Sequence, residues 1–275
     1  MIINNTPIEV YDGILVKRED LSCLPPGPPF AKVRGLQKRL EYLKRKGVSI
    51  VGYTETNISQ AGIGVSWLCQ ELNMTAVIYC PMYKKPQAIL NGYRKQWENF
   101  GAVITEIPAG MAKVNYYICK KKLLEEFGAS AIMLPLGLPF KESITAVSEE
   151  FKLTLPKIKN IKSVVMCIGS GTMAAGVLKG IYESPLQKIK LYGILCRKSK
   201  NIVEKKKKIL MGSETISFIS KTDFSVIDMG WEYTQESKSE CPFPTNKYYD
   251  LKAWQWLMEN KNKIPQPILF WNIGA

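Results

Sequence analysis

Two stretches of this chain carry residue types that can do chemistry on a small anionic partner. Gly169-Ser170-Gly171-Thr172-Met173-Ala174-Ala175-Gly176 follows the apolar run Ser163–Ile168 and opens a helical pattern. Glycines let consecutive backbone N–H groups turn inward, and a helix N-terminus adds the positive end of its dipole, so the stretch can form a phosphate cup. It lacks the Gly-Lys-Ser/Thr of a Walker loop. A dinucleotide site would need an acidic residue about 20 positions further on, where this chain has Leu191-Tyr192-Gly193-Ile194. Lys32, in Phe30-Ala31-Lys32-Val33-Arg34, stands just ahead of a long basic helical pattern. A lysine amine is the side chain that forms Schiff bases with aldehydes.

Composition narrows the remaining chemistry. The 275 residues include no histidine, which excludes Ser-His-Asp triads, Cys-His pairs and nearly every catalytic zinc arrangement. Acid–base work falls to Lys, Tyr, Ser, Asp or Glu, or to a cofactor, and no metal is expected. The seven cysteines form no C-x-x-C pair and several sit in apolar runs, as expected of reduced thiols in a cytoplasm. No apolar run reaches the length of a membrane span and no secretory signal is read at the N-terminus. Lys and Arg number 38 against 24 Asp and Glu, a formal net charge of +14. Such a surface attracts polyanions, although a merely basic soluble enzyme fits the same number.

The elements that must position these residues alternate. Strand patterns at Ile14–Lys17, Val48–Gly52, Ala76–Cys80 and Val103–Ile107 are interleaved with helical patterns at Arg34–Lys46, Gln60–Leu72, Gln87–Phe100 and Ala112–Phe127. Beyond Pro139 come helix Ser143–Leu155, strand Ser163–Ile168, helix Thr172–Tyr182, strand Lys190–Leu195 and a basic helix or loop at Val203–Met211. An irregular stretch Gly230–Pro244, a Trp-rich helix Asp250–Asn260 and a strand Ile268–Trp271 follow. Alternation of this kind implies parallel sheets with helices on both faces. The Lys205–Lys208 run reads as a solvated helix face.

Several segments, in order, resemble the pyridoxal-phosphate (PLP) dependent enzymes of the tryptophan-synthase-β group, fold type II. The nearest branch is that of 1-aminocyclopropane-1-carboxylate deaminase and D-cysteine desulfhydrase. The resemblance rests on Lys17-Arg18-Glu19-Asp20, Lys32-Val33-Arg34, Ile58-Ser59-Gln60, Gly169–Gly176, Gly230-Trp231-Glu232-Tyr233, Tyr249-Asp250-Leu251-Lys252 and Asn272-Ile273-Gly274-Ala275. It implies an α/β fold of two lobes, each a parallel sheet flanked by helices: a small lobe over 36–139 and a large PLP-binding lobe from 1–35 and 140–275, with PLP in the cleft between them. It also implies that Lys32 is the Schiff-base lysine and that Ser59 lies beside the substrate α-carbon. Gln60 replaces an asparagine that contacts the cofactor's phenolic oxygen. Gly169, Ser170, Gly171, Thr172 and Met173 would hold the phosphate, and Tyr233 and Tyr249 would move protons. Asp250 would face the pyridine nitrogen, an adjacent anion favouring its protonated form; a helix N-cap is the structural alternative for that carboxylate. Amides at Ser59, Gln60 and Ala61 would hold the substrate carboxylate.

The chain departs from the pattern at Pro29-Phe30-Ala31, at Gly35 where the family has a lysine, at Gln60 and at Gly62-Ile63, and its second lobe is short. Gly35 and Gly62 are expected to open the substrate mouth to a bulky carrier. The expected activity is that of a lyase or decarboxylase working at an amino acid's α-carbon through an external aldimine. The amino acid would be free or carried on nucleic acid, as in phage-type DNA base hypermodification. A deaminase or desulfhydrase of a free small amino acid, and a non-catalytic relative that binds nucleic acid or a protein, are the alternatives. A homodimer is implied by the resemblance alone.

Overall fold

The computed structural model describes residues 1–56, 58–84, 88–184, 188–212 and 223–275, which divide into two compact units. Met1–Gly35 and Lys141–Ala275 make the first, Leu36–Phe140 the second.

The first unit is built on a six-stranded sheet. Its strands are β1 (Ile8–Tyr11), β2 (Ile14–Arg18), β7 (Ser163–Ile168), β8 (Lys190–Leu195), β9 (Asp223–Ile227) and β10 (Ile268–Asn272), in the order β1-β2-β10-β7-β8-β9. All neighbours are parallel except β1, which folds back antiparallel on β2. Strand β7 is buried at every position because both faces of the sheet are covered. Val164, Met166 and Ile168 point into one apolar layer with Val177 and Leu178 of α6 (Thr172–Tyr182) and Phe151 of α5 (Lys141–Thr154). Val165 and Cys167 point into the other, with Leu251, Trp254 and Leu257 of α8 (Asp250–Asn260). This is the period-2 alternation of a strand, hidden in the sequence because both sets are apolar. Helices α5 and α6 approach closely at Gly176, where a Cβ would stand 2.5 Å from that of Val147.

The second unit carries a four-stranded parallel sheet, β5-β4-β3-β6, of β3 (Ile50–Thr54), β4 (Thr75–Met82), β5 (Val103–Pro108) and β6 (Ala131–Met133). Helices α2 (Ala61–Glu71), α3 (Ala88–Asn99) and α4 (Ala112–Phe127) connect the strands. The boundary between units falls inside α1 (Val33–Arg45). Leu36, Leu40 and Leu43 of that helix are all buried, the stripe expected from its 3.6-residue period.

Three strands escape the sequence pattern: β1, whose Val10 is exposed; β6, only three residues long; and β9. The basic run belongs to a regular helix, α7 (Ile202–Gly212). Gln87, the expected start of α3, lies outside the described residues.

Candidate active site

Lys32 immediately precedes α1 and is half-buried. Its surroundings are fixed by a buried charge network that absorbs the Lys17-Arg18-Glu19-Asp20 motif. Lys17 Nζ pairs with Glu150 Oε1 of α5 at 2.6 Å. The Arg34 guanidinium pairs with Glu19 and reaches Glu150 Oε2 at 3.6 Å. The amides of Asn5 and Thr6 donate to the same Glu150 carboxylate at 2.8 and 3.0 Å. Arg18 holds Asp20 through two hydrogen bonds of 2.9 and 2.7 Å. Buried charges persist only when paired and hydrogen-bonded, so β2, α5 and the start of α1 are locked together beside Lys32.

Asp20 in turn accepts from Asn272 Nδ2 at 2.9 Å at the end of β10, and the next amide, Ile273 N–H, donates to Asp250 Oδ1 at 3.1 Å. Asp250 is fully buried at the first turn of α8 and serves the β10 end through this bond. Burial pushes its pKa up to about 7, against the Ile273 hydrogen bond, with the Asp20 charge adding to the rise and the Lys32 ammonium opposing it.

The glycine turn after β7 opens α6 with Gly171 in the left-handed region at φ +101°, where a side chain would also collide with Ile209 of α7. Ser170 Oγ and Thr172 Oγ1 stand 3.0 Å apart at its mouth, and the Thr172 N–H donates to Ser170 Oγ at 3.4 Å. The Tyr249 ring packs near Gly169, and its hydroxyl lies 3.2 Å from that of Tyr233. Lys32, Gly169, Ser170, Gly171, Thr172, Met173, Tyr233, Tyr249 and Asp250 therefore all belong to the first unit. An amine, a buried carboxylate and a hydroxyl-lined glycine turn are the donor set PLP needs for its aldehyde, ring nitrogen and phosphate.

Ser59, Gln60 and Ala61 belong to the second unit, at the start of α2. Two amides of that helix start have partners within the chain: Ala61 N–H donates to Ser59 Oγ at 3.2 Å, and Gly62 N–H donates to the Glu55 carboxylate. The same carboxylate accepts from Thr56 N–H at 2.9 Å. Glu55, at 2% exposure, is thus the anion at this helix N-terminus. Pattern reading missed it because it follows β3 with no glycine or capping signature of its own.

Two expectations are corrected. Gly35 and Gly62 open no mouth. A Cβ at Gly35 would fall on the backbone of Ser143, and one at Gly62 would stand 2.8 Å from Glu55 Oε1 and 3.0 Å from Trp97 Nε1. Both glycines are there because neighbouring atoms leave no room. The Lys205–Lys208 run is not wholly a solvated face. Lys205 Nζ turns inward and donates to the carbonyls of Gly169 and Ser170 at 2.6 and 3.0 Å. Burial lowers its pKa. The available signal was helical spacing, since Lys205 lies one turn before buried Ile209.

Fold and site together define a fold type II PLP enzyme. Residues 2–238 match the family of pyridoxal-phosphate dependent enzymes, and the chain belongs to that family. PLP is accordingly its cofactor. The chain is 36% identical to the glycyl-dTMP PLP-dependent decarboxylase of Pseudomonas phage M6, over the whole of both chains. Among solved structures it resembles a homologue of ACC deaminase, with a TM-score of 0.81 and 18% identity over 99% of this chain and 90% of that one. A hydrogen sulfide-producing enzyme from Fusobacterium nucleatum is similar over 100% of this chain and 94% of its own, with a TM-score of 0.69 and 17% identity.

Proposed function

We propose that the chain is a PLP-dependent decarboxylase acting on an amino acid, glycine in particular, carried on a thymine nucleotide, in the manner of phage-type DNA base hypermodification. The observation that carries this reading is the 36% identity, over the full length of both chains, to a relative named for glycyl-dTMP decarboxylation. The grouping of Lys32, Asp250 and the glycine turn in one unit supports it.

Lys32, half-buried ahead of α1, would hold the cofactor through its aldehyde carbon. Ser170, Thr172 and the amides from Gly169 to Met173 would seat its phosphate, and Asp250 would take its ring nitrogen. When bound, the cofactor supplies an electron sink for the pair left on the α-carbon. The bond from α-carbon to carboxylate breaks, carbon dioxide leaves, and one proton is delivered to the α-carbon. Lys32 is the donor, with Tyr249 and Tyr233 as a hydroxyl pair able to resupply it. Ser59, Gln60 and Ala61, at the start of α2, would orient the substrate. Burial of Glu55 at that helix start supports a site that does not clasp a carboxylate tightly, as suits an enzyme that must release one. Action as a homodimer in the cytoplasm is part of the proposal, the second point supported by seven free cysteines.

The deciding experiment incubates the PLP-loaded protein with a thymine nucleotide bearing a glycyl group whose amine is free, and follows the product by mass spectrometry. Loss of one carbon dioxide, with one deuterium retained when the reaction runs in D2O, is expected. Turnover of free amino acids with no change in the nucleotide overturns the reading.

A further inference from the structure

Beside the glycine turn the first unit holds a cavity of about 440 Å³. Its wall shares Gly169 and Tyr233 with the residues assigned to the cofactor and its chemistry and includes none of Lys32, Thr172 or Asp250, so it opens beside them. Arg197, Lys198, Lys200 and Lys205 face it, against a single carboxylate among the described residues, Glu232. That carboxylate is spent on Lys198, with which it pairs. Among the described residues no acidic side chain pairs with Arg197 or Lys200. The guanidinium carbon of Arg197 lies 5.4 Å from the centre of the Tyr233 ring, and Trp231 supplies a second aromatic wall.

The two loops that make this wall are built, not incidental. Lys198 N–H donates to Trp231 O at 2.7 Å. Asp228 ties both loops, accepting from Ser199 N–H at 2.7 Å and Gly230 N–H at 2.8 Å. Lys252 Nζ braces the wall from below, donating to the carbonyls of Cys196 at 2.7 Å and Glu232 at 3.3 Å. Cations held over aromatic faces recognise a phosphate next to a flat ring.

We infer that this cavity binds the nucleotide that carries the amino acid, with Arg197 and Lys200 on its phosphate and Tyr233 and Trp231 against its pyrimidine. The inference rests on the proposed function and names the part of the substrate that the cofactor chemistry never touches. The same phosphate could belong to a free nucleotide or to a strand of DNA. Binding held away from the reacting bond is what lets an enzyme select a carrier.

The test measures equilibrium binding of dTMP, thymidine, inorganic phosphate and a single-stranded oligo-dT to the PLP-loaded protein by calorimetry. The proteins compared are the parent, R197A/K200A, and K159A/K162A, which removes the same charge from a distant surface. dTMP is expected to bind about tenfold more tightly than thymidine, and R197A/K200A to lose that advantage while K159A/K162A keeps it. Tighter binding of oligo-dT than of dTMP, with a log–log salt slope that falls by about 1.4 in R197A/K200A, identifies the strand as the source; equal binding identifies the free nucleotide. Equal affinity for dTMP and thymidine, equal losses in both double variants, or dTMP binding to stripped protein that PLP abolishes overturns the inference. Decarboxylation of a glycyl-thymine nucleoside as fast as of its nucleotide would sink the inference and leave the proposed function standing.

Discussion

Replacing Asp250 by asparagine removes a buried titrating group while keeping its size. In the cofactor-free protein burial raises the carboxyl pKa from 3.8 to about 7. The folded state therefore holds that proton more tightly than the unfolded chain. The stabilisation is complete below pH 3.8 and is lost as the pH rises through 7. The difference between 3.8 and about 7, at about 1.36 kcal/mol per pH unit, sets a ceiling of roughly 4 kcal/mol on the loss. Asparagine does not titrate, so the asparagine variant gains on the parent across this window and the gain levels off above it. Any constant penalty from the new amide cancels in the comparison between pH values. Urea unfolding of stripped protein at pH 5, 6, 7 and 8, followed by tryptophan fluorescence, measures the difference. We expect the variant to gain about 1 kcal/mol per pH unit between pH 5 and 7. Loading with PLP should flatten the parent's slope, because a protonated ring nitrogen neutralises the carboxylate. Parallel curves for parent and variant, with or without cofactor, would refute the placement of a desolvated carboxylate at this point.

Three further outcomes follow from the geometry. Borohydride reduction of the PLP-loaded protein should fix one cofactor on the peptide containing Lys32, and K32A should give no adduct by mass spectrometry. E150Q breaks the pair with Lys17, whose side chain is fully buried, and should lower unfolding free energy by about 3–5 kcal/mol in denaturant titrations. An unchanged midpoint would mean that the network is not holding β2 to α5. G35A should destabilise by about 1–3 kcal/mol or more through collision with Ser143. A variant of parental stability with an altered substrate range would show that the glycine does open the mouth.

Much of the fold was legible because it is written in local periodicity. The Leu36, Leu40 and Leu43 stripe and the apolar run of β7 report their own structure. Strand β6 spans three residues and carries no alternation to read, and β1 spans four with only Val10 exposed, so neither stands out. For the site, glycines in order and a lysine before a helix are local signals. The inward turn of Lys205 and the position of Glu55 are not, since each depends on which element its own packs against. A lysine in a run of four looks solvated until a carbonyl 36 residues away is found beneath it. The buried charges of β2 show the same limit: the motif was visible, while its partner Glu150 lies more than a hundred residues downstream.

The placing of β10 has a consequence for how the molecule comes into being. In the six-stranded sheet, β2 meets β7 only through β10, which lies between them. During synthesis, residues 36–140 emerge with all four strands of their own sheet, whereas Lys32 and the first strands wait for a segment made more than 230 residues later. Lys32 is thus translated early and lodged late, so a ribosome-bound chain that has not yet produced β10 should be unable to trap the cofactor.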